Sequence, residues 1–204
     1  MGSSIWSVAT AIRGGGTRER LMETAAGLFY EHGFHAIGID RIFGDVGVTK
    51  TTFYNHFESK DALIVALLEH LDRRDMEALQ AELSRRGGGP RERLLAVFDV
   101  LDEWTRDSDF RGCLFINAAS QFPNPNDPVH AAAMRHARHL HEALAELARA
   151  AGAGDPEALA RQLGMLVAAA ITSRQVVGDV QAGSTARCMA EVLVDSAAGA
   201  RRRA

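Results

Sequence analysis

Cysteine is scarce in this sequence, and that scarcity removes several classes of protein at once. Only Cys113 and Cys188 are present, too few for a disulfide framework and spaced unlike any common zinc pattern. Proline is scarce too, 5 residues in 204, while alanine is abundant, which favours helix over strand. The longest mostly apolar run, "LGMLVAAAITS" at 163–173, is too short to cross a bilayer. The opening "MGSSIWSVATAIRGGG" lacks the basic start and continuous apolar core of a secretory signal, and reads as a flexible tail over residues 1–16. A cytoplasmic protein with no membrane contact is therefore expected. Nor is there an excess of positive charge: 23 Lys and Arg against 26 Asp and Glu leave a net charge of −3. That balance argues against a protein that coats nucleic acid through bulk charge. Any DNA binding must come from a few placed groups.

What is present is the balance of an ordinary globular protein, 47% hydrophobic and 24% charged. Helical periodicity runs through "TRERLMETAAGLFYEH", where Leu21, Ala25, Leu28 and Phe29 share a face between a Thr17 cap and a Gly33 stop. A short helix follows in "IDRIFGDV", broken by Gly47, and another in "TKTTFYNHF", opened by Thr49. A long one starts after Ser59 and ends at "GGGP", residues 87–90. Further helices are expected over 91–106, in "GCLFINAASQF", from Val129 to Ala150, after the Asp155-Pro156 pair, and from Thr185 to Ala198. No stretch alternates at period two, so no sheet is expected. The fold class is all-α, with about nine helices.

The stretch "VTKTTFYNHF", 48–57, holds hydroxyls, a cation and aromatics but no acid, straight after a glycine turn. Two short helices joined across Gly47 form a helix-turn-helix, whose second helix can enter the major groove. Thr49, Thr51 and Thr52 are short donors suited to phosphates or thymine methyls, and Lys50 reaches a guanine edge or a phosphate. Tyr54, Asn55, His56 and Lys60 carry donors that can fix the protein against the backbone, while Phe53 and Phe57 suit a core. The alternative is a capped amphipathic helix pair in an ordinary bundle.

"GFHAIGIDRIFGDVGVTKTTFYNHFESKDALI" resembles the N-terminal signature of the tetracycline-repressor (TetR) family of bacterial regulators, from about Thr17 to Leu67. "RGCLFINAA" is similar to the family's sixth-helix region. The resemblance implies a helix-turn-helix DNA-binding domain over 17–63 and a ligand-binding and dimerisation bundle over 64–204. It implies a homodimer on a palindromic double-stranded operator, released by a small inducer, with no cofactor and no enzymatic activity. It assigns phosphate contacts to Tyr54, His56 and Lys60 and base contacts to Lys50, Thr51 and Thr52. Ile37 and Gly38 stand where the family often has Thr or Ser, and Phe43 where it has a small alanine. Arg41 is the candidate for the lost phosphate contact.

Within the C-terminal part, Leu163, Leu166, Val167 and Ala170, with Met189, Val192 and Leu193, are expected to form a four-helix dimer interface like the family's. The large residues Phe98, Leu101, Trp104, Phe115, Phe122 and Met165 suggest a mostly apolar ligand cavity beside Ala118. Asn117 or Gln121 would orient the ligand and Arg174 would meet an acidic group; a plain core with Arg174 snorkelling or paired is the alternative. The histidines at 130, 136, 139 and 141 read as a solvated face rather than a metal site, and Cys113 as a buried thiol rather than a sensor. The rival overall is a helical enzyme or binding protein with a vestigial helix-turn-helix.

Overall fold

Each break in helical periodicity becomes a helix end in the structure. The computed structural model describes residues 15–200, with side chains as far as Ala198. Residues 1–14 of the expected tail and the basic "RRRA" end lie outside the described residues. Among those described there are nine helices and no strand: α1 Thr17–His32, α2 Ile39–Val46, α3 Lys50–His56, α4 Lys60–Arg86, α5 Pro90–Thr105, α6 Leu114–Gln121, α7 Pro128–Ala150, α8 Pro156–Val177 and α9 Ala182–Ala200. None is long and apolar enough to cross a membrane. The first cap differs from expectation. Gly16, not Thr17, precedes α1, and it offers no side chain to the free N–H groups. Ser59 and Asp155 cap as their types predict, accepting from the N–H groups of Ala62 at 3.0 Å and Ala158 at 2.9 Å.

The chain divides into two compact units, with boundaries inside α4 between Arg74 and Asp75, inside α7 between His136 and Ala137, and after Gly112. One unit comprises α1–α3, the first half of α4, α6 and the start of α7. Its core is aromatic and aliphatic: Phe29, Phe34, Phe53, Leu21, Ile42, Leu63 and Leu67 are all closed to solvent. Phe29 and Phe34 lie 5.0 Å apart between ring centres, and Phe53 and Phe57 5.9 Å. The α2–α3 turn depends on Gly47, whose φ of 76° lies in the left-handed region. There the N–H of Gly47 donates to the Gly44 carbonyl at 3.1 Å and that of Val48 to Phe43 at 3.0 Å, closing the end of α2.

The other unit holds the rest of α4 and α7 with α5, α8 and α9. Its centre is the antiparallel seam of α5 and α9. Arg91 at the start of α5 pairs with Asp195 near the end of α9 at 2.7 Å, and Asp99 with Arg187 at 3.0 Å. At the far end Gly183 meets Asp102. α9 turns small residues inward here, with Ala182, Ala186 and Ala190 at most 5% exposed. A Cβ on Gly183 would fall 2.5 Å from the Asp102 Cα, inside backbone contact distance. On α4, Glu82 bridges Arg85 and Arg86, and Arg86 continues to Glu103 at 2.6 Å. The Arg85 hydrogen bond chiefly holds the Glu82 carboxyl down to about 2.

Two consequences are measurable by chemical denaturation. Gly183→Ala is expected to lower stability by about 1–3 kcal/mol through overpacking of the seam. Gly47→Ala is expected to cost about 1 kcal/mol because alanine resists the left-handed turn, whereas Gly44→Ala, three residues earlier on an open helix surface, should gain about 0.5–1 kcal/mol. Equal effects at 44 and 47 would contradict this account of the turn.

Candidate nucleic-acid interface

A helix of seven residues leaves most of its backbone groups at its ends, so α3 must be held from outside. Its start is closed by Thr49, whose Oγ1 accepts the Thr52 N–H at 3.1 Å and lies 2.9 Å from the Thr52 hydroxyl. These two hydroxyls face each other and form the cap. Its inner side is Phe53, fully buried, with Phe57 just beyond the end at 4% exposure. The turn before it is gripped from α1, where an Arg20 Nη2 donates to the Val46 carbonyl at 2.6 Å.

With Phe53 and Phe57 facing in, Lys50, Thr51, Tyr54, Asn55 and His56 are left exposed on the opposite side. The Tyr54 ring stands edge-on to Phe53, centres 5.4 Å apart, and is 45% exposed, so its base is packed and its hydroxyl end reaches out. His56 occupies the last turn of α3, where the helix dipole favours a cation. Lys60 is half-buried with its ammonium 5.9 Å from the Phe29 ring centre; burial lowers its pKa, and Asp61 opposes that shift. Every one of these groups is a donor or a cation apart from the aromatic ring of Tyr54. No acid lies on α3 itself.

Arg41, the stand-in for the absent Thr or Ser, donates from Nε to Asp45 at 2.9 Å, one turn along α2. Gly38 ends the preceding loop with no side-chain hydrogen bond to α2, and Ile37 is turned into the core. Two cations that sequence reasoning passed over adjoin this region. Arg20 holds the turn, and the Arg18 guanidinium lies 5.1 Å from the Phe57 ring centre. Their only signal was the density of Arg in "TRER" at the start of α1.

The residues proposed for a ligand are placed differently from expectation. Phe115, Ala118 and Phe122 are buried in one unit, and Phe98, Leu101 and Trp104 in the other. Met165 is 73% exposed and belongs to no core of the chain, a correction that follows from the register of α8. Gln121 is committed elsewhere: its Oε1 accepts the N–H groups of Phe34 at 2.9 Å and His35 at 3.3 Å, and its own carbonyl accepts from His35 Nε2 at 2.8 Å. Phe122 sits beside the same turn, 6.0 Å from Phe34 and 4.9 Å from the His35 ring. Arg174 donates from Nε to the Thr105 carbonyl at 2.8 Å, closing the end of α5, and lies 5.7 Å from the Phe110 ring. Asn117 is half-buried.

The proposed dimer residues divide in the same way. Leu163, Val167 and Ala170 are buried within the chain, at most 4% exposed, and Leu166 and Leu193 are half-buried. Buried residues cannot form a free surface, so the outward face of α8 is Met165, Ala168, Ala169, Thr172 and Val176 instead. Met189 and Val192 are exposed as expected, on the matching face of α9 with Cys188. The histidines are not one solvated face. His136 pairs with Asp72 at 2.9 Å, His130 donates to the Phe122 carbonyl at 2.8 Å, and His141 lies 3.0 Å from Glu157. No three His, Cys, Asp or Glu among the described residues could hold a metal together.

Comparison with known proteins agrees with this geometry. Residues 21–67 match the model of bacterial regulatory proteins, tetR family, and residues 90–190 that of the tetracyclin repressor-like C-terminal domain. The HTH-type transcriptional repressor NemR of Escherichia coli (strain K12) is 28% identical over 131 residues, 64% of this chain and 66% of NemR. That match spans just under two thirds of the relative's length. Among solved structures, SCO4454, a TetR-family transcriptional regulator from Streptomyces coelicolor, has a TM-score of 0.80 and 32% identity over 89% of this chain and 95% of its own. The Streptomyces avermitilis regulator sav143 gives 0.78 and 31% over 89% and 98%.

Proposed function

The chain belongs to the tetR family of bacterial regulatory proteins and is a DNA-binding transcriptional regulator rather than an enzyme, and from that premise we propose how it works. It acts as a repressor, residues 17–63 forming the DNA-binding domain and 64–204 the ligand-binding and dimerisation domain. Two copies bind a palindromic operator, and a small, largely hydrophobic inducer releases them. The observation that carries this reading is the one-sided chemistry of α3. Its buried side is Phe53, and its exposed side presents Lys50, Thr51, Tyr54, Asn55 and His56 after a turn fixed by Gly47. Lys50 and Thr51, in the first turn, suit base edges, while Tyr54, His56 and Lys60 suit phosphates. With a net charge of −3, affinity must rest on such placed contacts.

Dimerisation is proposed through the exposed apolar strips of α8 and α9, around Met165, Ala169, Met189 and Val192. Small residues on α8 allow close approach of helices from a second copy. The release step requires the inducer to favour an arrangement in which the two recognition helices no longer fit successive major grooves.

A gel shift with the DNA beside the protein's own gene tests the reading directly; absence of any specific complex would overturn it. Tyr54→Phe and Lys60→Ala are expected to weaken all DNA sequences alike, by about 1–3 kcal/mol each. Lys50→Ala should instead alter base preference, read by selection from a random-sequence pool. Sedimentation separates the two groups on α8 and α9. Val192→Asp should yield folded monomers at micromolar protein. Leu163→Ala should lower stability by about 2–5 kcal/mol through a core cavity.

A further inference from the structure

The polar groups first expected to orient a ligand, Gln121 and Arg174, hold backbone groups of this chain instead. A different polar group on α7 is held in place on two sides. His136 is 13% exposed at its side chain, and its Nδ1 lies 2.9 Å from Oδ1 of Asp72 on α4, whose side chain is 10% exposed. Phe115 of α6 stacks flat on the imidazole, ring centres 3.6 Å apart and planes 6° from parallel. Carboxylate and ring stack together fix the position and rotation of the imidazole. All three residues belong to the same unit.

The cost of this arrangement is informative. Burying a carboxylate against an imidazole requires desolvation that the pair's attraction does little more than offset, and apolar residues of the same volume pack as well or better. The surrounding helices use apolar residues freely, with Leu68, Leu71, Ala118, Ala132 and Ala133 all buried. An Asp–His pair among them is therefore a poor device for stability alone. Its chemical effect is specific. Asp72 accepts the Nδ1 hydrogen bond, which selects the tautomer with the lone pair on Nε2. Nε2 makes no hydrogen bond among the described residues, nor is it a closed-off polar atom without a partner. It is an oriented acceptor that no described group occupies.

We infer that His136, held by Asp72 and Phe115, is the anchor of the small-molecule site and that it selects a neutral ligand bearing a weakly acidic O–H, such as a phenol. The ligand hydroxyl donates to Nε2, and the proton is shared along the line from ligand oxygen through imidazole to carboxylate. A carboxylate or phosphate ligand is disfavoured, because it would bring a second full negative charge opposite Asp72 across one imidazole ring. This rests on the ligand-responsive reading above and names the ligand class for it.

The test uses the full-length protein with 15N-labelled histidine and a matched pair of probes, p-cresol and 4-methylanisole, which differ in the O–H. The His136 signals are assigned by their loss in His136→Phe. In the free protein His136 is expected to show a protonated Nδ1 and an unprotonated Nε2. p-Cresol at millimolar concentration should move the His136 Nε2 signal and bind about tenfold more tightly than 4-methylanisole. Asp72→Asn should remove the preference, because the Asn amide can donate to Nδ1 and transfer the ring proton to Nε2. An Nε2–H tautomer in the free protein, equal binding of the two probes, or no p-cresol effect at His136 would each overturn the inference, and the comparison of the two probes needs no variant to fold. Operator binding measured on the same preparation keeps the two readings apart. A specific DNA complex with an unresponsive His136 defeats this inference alone, and absence of any specific DNA complex before a probe is added defeats the regulator reading.

Discussion

A seven-residue helix does not hold its shape in water, since nucleation costs more than so few hydrogen bonds return. Everything around α3 follows from that constraint. Gly47 turns the chain tightly enough to bring α2 and α3 together, and Thr49 satisfies the first free N–H groups. Phe53 and Phe57 tie the helix into a core, and Arg20 fixes the carbonyl at the end of α2. The exposed donors of α3 have defined positions only because the opposite side is held so completely. The proposed recognition surface and the folding of α3 are thus two faces of the same short helix.

The second unit obeys a different rule. Its seam between α5 and α9 is made close by small residues and directional by charge, with Arg91, Asp99 and Arg187 fixing the antiparallel register. Because α9 spends its small residues on α5, its larger ones, Met189 and Val192, are left outward, and α8 adds Met165 and Val176. An apolar exterior of this kind is the by-product of a tight interior as much as a surface in its own right.

Much of this was legible in the sequence, because helix ends are local. Gly33, Gly47, "GGGP" and "PNPNDP" each stop or start a helix by backbone chemistry that needs no partner, and the α3 cap and its buried phenylalanines follow from spacing. What was not legible depends on distant partners. α8 is apolar on nearly every side, so its sequence does not say whether Leu163 or Met165 faces inward. Arg174 carries the type of a ligand anchor, yet the carbonyl of Thr105, 69 residues away, claims it. His136 lies between Arg135 and Arg138 in a run that reads as a solvated face, and nothing local points to Asp72, 64 residues earlier. Family resemblance adds expected roles for the α3 residues, but it is silent on the pairings inside the bundle.

The side-chain amide of Gln121 takes hold of the turn between α1 and α2 through main-chain N–H groups, while the Gln121 carbonyl meets the His35 ring. An amide that grips backbone is indifferent to the identity of the residues it grips. A change of the side chain at 35 gives up the ring contact and leaves the backbone one, whereas a change at 121 frees both N–H groups at once. Tolerance to substitution at this joint is lopsided, and a single codon in α6 governs both of its backbone contacts to the turn that leads into α2.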